Sequence, residues 1–217
     1  MSDVTYYKVL NEDRTSTFEG YRWPYRRWTE PVPNPELCVQ GWHACTLEQL
    51  PAWLGPRIWE VELRGVVHGP DKVVAQSARL VRLTPWDDRR ARLFAADCAE
   101  HVLDVFESAC PGDSRPREAI AAARRFADGE LTYAQMSATR AAAFDAAKAA
   151  AYASAEAAAY AAADAVAGSA AYATAESSAI AAAYAGSDYA VADIAAYDAE
   201  RSWQAGRLGY YLEATND

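Results

Sequence analysis

The chain has 217 residues and a formal net charge of −9. That length is enough for one large domain or two small ones, each with a buried core. Acidic and basic residues balance at 12 each up to Arg90, whereas the remainder holds 18 acidic against 9 basic residues, so charge repulsion argues against nucleic acid and anionic membrane as partners.

The N-terminus lacks the basic and apolar segments of a signal peptide. Charged residues interrupt the alanine-rich part of the chain too often for a membrane span. Four cysteines in a chain of this size do not suggest a disulfide scaffold, so we expect reduced thiols. These features predict a soluble, cytoplasmic protein.

The first 84 residues favour strands. Residues 57–67 (RIWEVELRGVV) alternate apolar and charged types, and residues 5–10, 39–45, 72–75 and 78–83 are shorter strand candidates. Thr46 and Gln49 have the spacing of a capping box, which predicts a short helix over residues 47–54. Three prolines in residues 30–35 predict an extended loop. Residues 1–84 should therefore form a small, mainly antiparallel β-rich domain with one short helix.

Residues 85–217 favour helices. Thr84-Pro85 predicts a helix start, and apolar residues three or four apart predict an amphipathic helix over residues 86–109. A second helix should follow from Ser114 to Asp128. A capping box of Thr132 and Gln135 starts a third, which leads into the alanine-rich tract of residues 140–200.

Alanine fills most positions of this tract, and a larger residue returns about every fourth position. Alanine is the best helix former, so the tract is predicted to be helical. The sequences YASAE (152–156), YATAE (172–176) and YAVAD (189–193) form repeats of 17–20 residues, separated by Ala-Gly-Ser. Breaks at Gly168 and Gly186 would give several closely packed short helices; one long helix is the alternative. The predicted class is α+β, with a helical bundle after the β-rich part.

Both halves resemble known families. Residues 7–9 (YKV), 38–45 (CVQGWHAC) and 59–65 (WEVELRG) resemble the core of an uncharacterised domain found in phage and bacterial genomes. Residues 91–101 (ARLFAADCAEH), residues 115–119 (RPREA) and the alanine–aromatic tract resemble putative immunity proteins. Neither family has an activity to carry over, and the second resemblance implies a toxin-neutralising binder.

Residues 41–45 (GWHAC) are also similar to a strand of ADP-ribosyltransferase-like folds. That similarity implies that His43 or its neighbour lines a nicotinamide pocket and that Glu60 or Glu62 orients the ribose. The competing interpretation is a buried strand with a hydrogen-bonded histidine, which we favour. Alternation within residues 57–67 places both glutamates on the solvent face, which also weighs against the enzyme.

A zinc site is the second chemical candidate, because thiolate and imidazole are the ligands that zinc prefers. The spacing lacks a paired CxxC signature, so we favour small buried cysteines, with no metal and no cofactor. The residues concerned are Cys38, His43, Cys45, Cys98 and His101.

Residues 21–28 (YRWPYRRW) interleave aromatic rings and guanidinium groups. Single-strand nucleic-acid binders use such residues, but a protein-binding surface or a structural stack fits a neutral domain better. The predicted binding residues are Tyr21, Arg22, Trp23, Tyr25, Arg26, Arg27, Trp28, Trp42 and His43.

The tyrosines of the alanine tract have two interpretations. They are large side chains in an alanine-lined core, which we favour, or an aromatic and acidic face for a basic protein partner. These are Tyr152, Tyr160, Tyr172, Tyr184, Tyr189 and Tyr197.

No nucleophile elbow, phosphate loop or catalytic triad signature is present in the sequence. We therefore predict a non-enzymatic protein that binds a host or toxin protein and has a phage or immunity role. The alternatives are an ADP-ribosyltransferase-like enzyme and a structural element of a phage particle, in which the alanine-rich helices form a homo-oligomer.

Overall fold

The computed structural model describes residues 4–150, 153–165, 170–185 and 193–213. The chain divides into two compact units. The first contains Met1–Asp87 together with Leu208–Asp217, and the second contains Asp88–Arg207. The first unit holds an antiparallel sheet and the second is helical, so the predicted α+β class is confirmed.

The first unit is built on four antiparallel strands in the order β1-β3-β4-β2. They are β1 (Tyr6–Leu10), β2 (Trp42–Ala44), β3 (Arg57–His68) and β4 (Val73–Leu83). The two outer strands also meet, because the backbone N–H and C=O groups of Tyr7 and Cys45 exchange hydrogen bonds of 2.8 and 2.9 Å. The sheet edges are thereby joined, and Leu10, Val61 and Leu80 are buried in its core.

Residues 25–32 cover the edge of β4 that the short strand β2 leaves open. The backbone N–H groups of Arg26, Thr29 and Val32 donate to carbonyl groups of β4 at 3.1, 2.9 and 2.8 Å. An exposed strand edge is a site of unwanted pairing, and a covering loop removes it. The proline-rich loop predicted at residues 30–35 is thus extended and anchored to the sheet.

Three local predictions in this unit are wrong in detail. The helix predicted over residues 47–54 is only a 3₁₀ turn, Leu50–Ala52, which contains Pro51 at its start. The two strands predicted at residues 72–83 are one, because Ser77 is buried within β4 and Gln76 donates its amide N–H to the carbonyl of Pro33 at 3.0 Å. Thr84 does not cap a helix; its buried hydroxyl donates to the carbonyl of Ile58 at 2.7 Å.

The helices of the second unit follow in chain order. They are α1 (Asp88–His101), α2 (Leu103–Ala109), α3 (Arg115–Ala127), α4 (Tyr133–Ala149), α5 (Ala153–Asp164) and α6 (Ala170–Tyr184), with α7 (Ile194–Glu213) continuing into the C-terminal residues counted with the first unit. The single helix predicted over residues 86–109 is divided at Val102. The capping box at Thr132 and Gln135 is confirmed at the start of α4.

Helix α5 is the centre of the helical unit, since α1, α2, α3, α4 and α6 all pack against it. A helix surrounded on all sides is apolar all round. Seven of the eight alanines described between residues 155 and 165 are completely buried, and the eighth is Ala157 at 8% exposure. Because an alanine side chain is a single methyl group, several helices can approach one axis closely.

The alanine tract is therefore several packed helices, as predicted, and α4 ends within it at Ala149, ahead of the first predicted break. The breaks predicted at Gly168 and Gly186 lie outside the described residues, as do Tyr152, Tyr189 and most of the third repeat. Within the described part of the chain, no helix is long and apolar enough to cross a membrane.

Candidate functional site

We call residues 21–28 the arginine–aromatic segment. It follows a turn after β1 and continues into the loop that lines β4. Trp23 is buried at 3% exposure, and its ring meets the ring of Trp42 edge-on at 5.3 Å. Tyr21 covers Trp42 from another side at 5.0 Å. Three predicted binding residues therefore form one aromatic cluster.

The cluster also holds a lysine. The ammonium group of Lys8 lies 4.8 Å from the centre of the Trp23 ring, a cation–π contact. Burial lowers the pKa of Lys8 below its usual value. The indole N–H of Trp42 donates to the carbonyl of Glu30 at 2.9 Å, which fixes the ring. These contacts make the inner part of the segment rigid.

The outer part of the segment carries stacked guanidinium groups. Trp28 lies beneath Arg64 and Arg79, whose guanidinium carbons are 3.8 and 5.0 Å from the ring centre. Tyr25 meets Trp59 edge-on at 5.5 Å, and Arg26 lies over the Tyr25 ring at 5.0 Å. Arginine side chains therefore stack on the aromatic rings of this segment, as the sequence predicted.

The three arginines of the segment differ from the arginines of the sheet in their charge partners. Arg22, Arg26 and Arg27 are exposed, and none of them forms an ion pair with the described residues. Arg57, Arg79 and Arg82 of the sheet, by contrast, are paired with Glu12, Glu62 and Glu60. Arg26 also has a positive φ of 57°, which a non-glycine residue rarely adopts.

The residues proposed for an ADP-ribosyltransferase pocket have other partners. The Nε2 atom of His43 accepts a hydrogen bond from the backbone N–H of Cys38 at 3.1 Å. Burial and the charges of Lys8 and Lys72 lower the pKa of His43. Glu60 and Glu62 form ion pairs across the hairpin with Arg82 and Arg79. Both glutamates therefore form cross-strand ion pairs on the sheet surface.

The candidate zinc ligands are not assembled. Among the described residues, no three His, Cys, Asp or Glu side chains are placed to hold a metal ion. Cys38 is exposed, whereas Cys45 and Cys98 are buried. Burial raises the pKa of the Cys45 thiol to about 12, so this thiol is protonated at neutral pH.

A polar network around the buried Glu200 joins α1, α6 and α7 in the second unit. The Nδ1 atom of His101 is 2.6 Å from a carboxylate oxygen of Glu200, whose side chain is only 3% exposed. The His101 ring stacks on Trp203 at 3.8 Å with an interplanar angle of 4°. Gln204 donates to Glu200 at 3.1 Å and to the carbonyl of Ala175 at 2.9 Å.

Two further ion-pair groups hold the same helices. Asp97 of α1 accepts from Arg124 of α3 at 2.7 Å and from Arg207 of α7 at 2.5 Å. Glu176 of α6 pairs with Arg201 of α7. Long polar side chains thus hold α7 against α1 and α6, whereas α5 packs against its neighbours through the methyl groups of alanine. His101 was a candidate from the sequence, whereas Glu200 and Gln204 were not; their spacing of four residues was the available signal.

The helical unit coincides with a family match. Residues 83–210 match the family model described as Imm-5 like putative immunity protein. This region is more than half of the 217 residues. The chain belongs to the Imm-5 like putative immunity protein family. None of the curated proteins and none of the solved structures compared with the chain matches it significantly.

The Imm-5 like match contains all of the helical unit and leaves residues 1–82 outside it. The arginine–aromatic segment therefore lies in a part of the chain that the family model does not describe, and the resemblance of residues 7–65 to an uncharacterised domain stays a prediction. Of the two resemblances found in the sequence, the comparison supports the one between the helical part of the chain and immunity proteins.

Within the Imm-5 like region, the described tyrosines of the tract lie at the edge of the alanine core. Tyr160 is half-buried and meets Phe144 edge-on at 5.4 Å. Tyr184 is half-buried, whereas Tyr172 is 46% exposed. The hydroxyl of Tyr197 donates to Glu176 at 3.3 Å. The large residues that fill the core come instead from other helices, such as Phe106 and Met136.

Proposed function

We propose that the chain is a non-enzymatic immunity protein that neutralises a toxin by binding it. The observation that carries this proposal is the family membership of residues 83–210. An immunity role of this kind needs a rigid binding surface and no catalytic group.

The geometry of the chain is consistent with binding. His43, Glu60 and Glu62, which an ADP-ribosyltransferase site would use, are engaged in hydrogen bonds and ion pairs of the sheet. The arginine–aromatic segment has the residue types, tyrosine, tryptophan and arginine, that dominate protein–protein hot spots. We propose this segment, with Trp42, as part of the partner-binding surface.

Growth rescue tests the proposal. The toxin domains encoded in the genome that carries this gene are expressed one at a time from an inducible plasmid, with or without the chain. We expect the chain to restore growth against one toxin or a few related ones. Failure to protect against any of them would contradict the proposal.

A titration then separates binding from catalysis. A binder abolishes the activity of the purified toxin only when it reaches an equimolar amount, because each molecule occupies one toxin. An enzyme that modifies the toxin acts at a small fraction of that amount. Inactivation at such a fraction, or heat released on adding NAD in a calorimeter, would favour the enzymatic alternative.

Light scattering tests the remaining alternative, a structural element assembled through the alanine-rich helices. The alanines of α5 are already covered by helices of the same unit. We therefore expect the mass of a monomer at every concentration tested. A fixed higher oligomer would support the assembly role.

A further inference from the structure

We infer that the arginine–aromatic segment recognises an acidic protein surface, with Arg22, Arg26 and Arg27 contacting carboxylates of the partner. This inference deepens the proposed function, because it gives the chemistry of the surface on which the partner would be held.

The first argument is the unbalanced charge of the segment. Three exposed guanidinium groups lie within residues 22–27, and they have no ion-pair partner among the described residues. On the neighbouring sheet, by contrast, Arg79 and Arg82 are paired with glutamates. A guanidinium group forms two parallel hydrogen bonds with a carboxylate, which makes arginine well suited to recognising acidic groups.

The second argument distinguishes a protein from a single-stranded nucleic acid. Base stacking needs an aromatic ring with a free face. Trp23 is buried, Trp42 is covered by Tyr21 and Trp23, and Trp28 is covered by Arg64 and Arg79. The three tryptophans are therefore occupied, and the outward-facing chemistry of the segment is mainly that of its arginines.

The third argument is rigidity. Hydrogen bonds from the backbone of Arg26 and Thr29 to β4 hold the segment on the sheet. The positive φ of Arg26 shows that its backbone is fixed in an uncommon conformation. Because little conformational entropy is lost on binding, a surface held in this way is suited to a specific contact. Tyr21 and Tyr25, at 41% and 40% exposure, add apolar contact area beside the arginines.

The test measures binding of the full chain to a fluorescein-labelled oligoglutamate peptide by fluorescence anisotropy at low salt. The double variant R22E/R27E reverses two exposed charges that form no ion pair with the described residues. The control R125E/K148E reverses two exposed charges of the helical unit, whose side chains are 58% and 68% exposed and form surface ion pairs with Glu130 and Asp145. Such exposed pairs contribute little to stability. Circular dichroism checks that both variants fold.

We expect the original chain and the control to bind the peptide with similar affinity, and R22E/R27E to bind at least about tenfold more weakly. Added salt should weaken the binding of the original chain. Absence of peptide binding, or an equal loss in both variants, would overturn the inference.

Oligothymidylate is the second probe. If it binds more tightly than oligoglutamate, and Tyr21→Ala abolishes that binding, the segment is a nucleic-acid surface and the inference is wrong. The growth-rescue result is read separately. If the chain protects against a toxin but does not bind oligoglutamate, the proposed function stands and the inference about the arginines is wrong. If it binds oligoglutamate but protects against no toxin, only the immunity role is contradicted.

Discussion

Replacing Ala143 by leucine tests whether methyl groups set the helix spacing in the second unit. Ala143 lies on α4, which packs against α3 and α5, and its side chain is completely buried. Leucine adds three carbon atoms at a site enclosed by the alanine core. Overpacking of this kind costs about 1–3 kcal/mol of unfolding free energy, and more where the backbones cannot separate.

The matched control is A141L, two residues away on the same helix at an exposed position. The same change in helix propensity applies at both sites, so the difference between the variants reports packing alone. We expect A141L to lie within about 0.5 kcal/mol of the original chain. For a unit of this size, A143L should lower the melting temperature by roughly 5–15 °C.

The assay is thermal and urea unfolding followed by circular dichroism at the helical minimum. Equal stability of A143L and A141L would show that α4 can move away from its neighbours without cost. The description of the alanine core as closely packed would then be wrong.

Three further results are expected. E200Q should lose about 1–3 kcal/mol of unfolding free energy, measured in urea, because it alters a buried, hydrogen-bonded carboxylate. The control Glu100→Gln changes an exposed carboxylate and should shift the free energy by less than about 0.5 kcal/mol. Equal effects of the two variants would contradict the network around Glu200. Burial raises the pKa of Asp164 above its unfolded value, so its ionised form destabilises the fold at neutral pH. D164N should therefore raise the melting temperature near pH 7. The gain should shrink as the pH falls and vanish below about pH 4, where the unfolded carboxyl is also protonated. In a C110S background, which removes the partly exposed Cys110, Ellman's reagent should react quickly with the exposed Cys38 and with Cys45 only after unfolding. The variant C38S/C110S should lose the fast phase, and rapid labelling of that variant would refute this assignment.

The sequence was informative where a local pattern determines local structure. Alternation over residues 57–67 gave β3, and the capping box of Thr132 and Gln135 gave the start of α4, because in each case the stabilising contacts lie within a few residues. The same reasoning failed at Thr84, whose hydroxyl bonds to a strand 26 residues earlier. A capping residue and a residue that bonds to a distant strand have the same appearance in a sequence.

For the candidate site too, the sequence showed local composition but not the contacts between distant residues. The eight residues of the arginine–aromatic segment were recognisable by composition. The sequence could not show which rings are buried, which guanidinium groups stack, or whether the three arginines of the segment have ion-pair partners. Trp42, Arg64 and Arg79, which contact its rings, come from other strands. The network around Glu200 was missed for the same reason, since it joins residues 99 positions apart.

By itself, the alanine-rich sequence determined that the second half of the chain is helical and closely packed, because alanine favours helix and occupies little space. Only the tertiary structure decided that α5 lies at the centre, that its alanines are the core, and that Tyr160 and Tyr172 lie at its edge or beyond. The physical reason is that a spacing of four residues drifts around a helix by about 40° per step. Which face is buried is then set by the neighbouring helices, and those are contributed by distant parts of the chain.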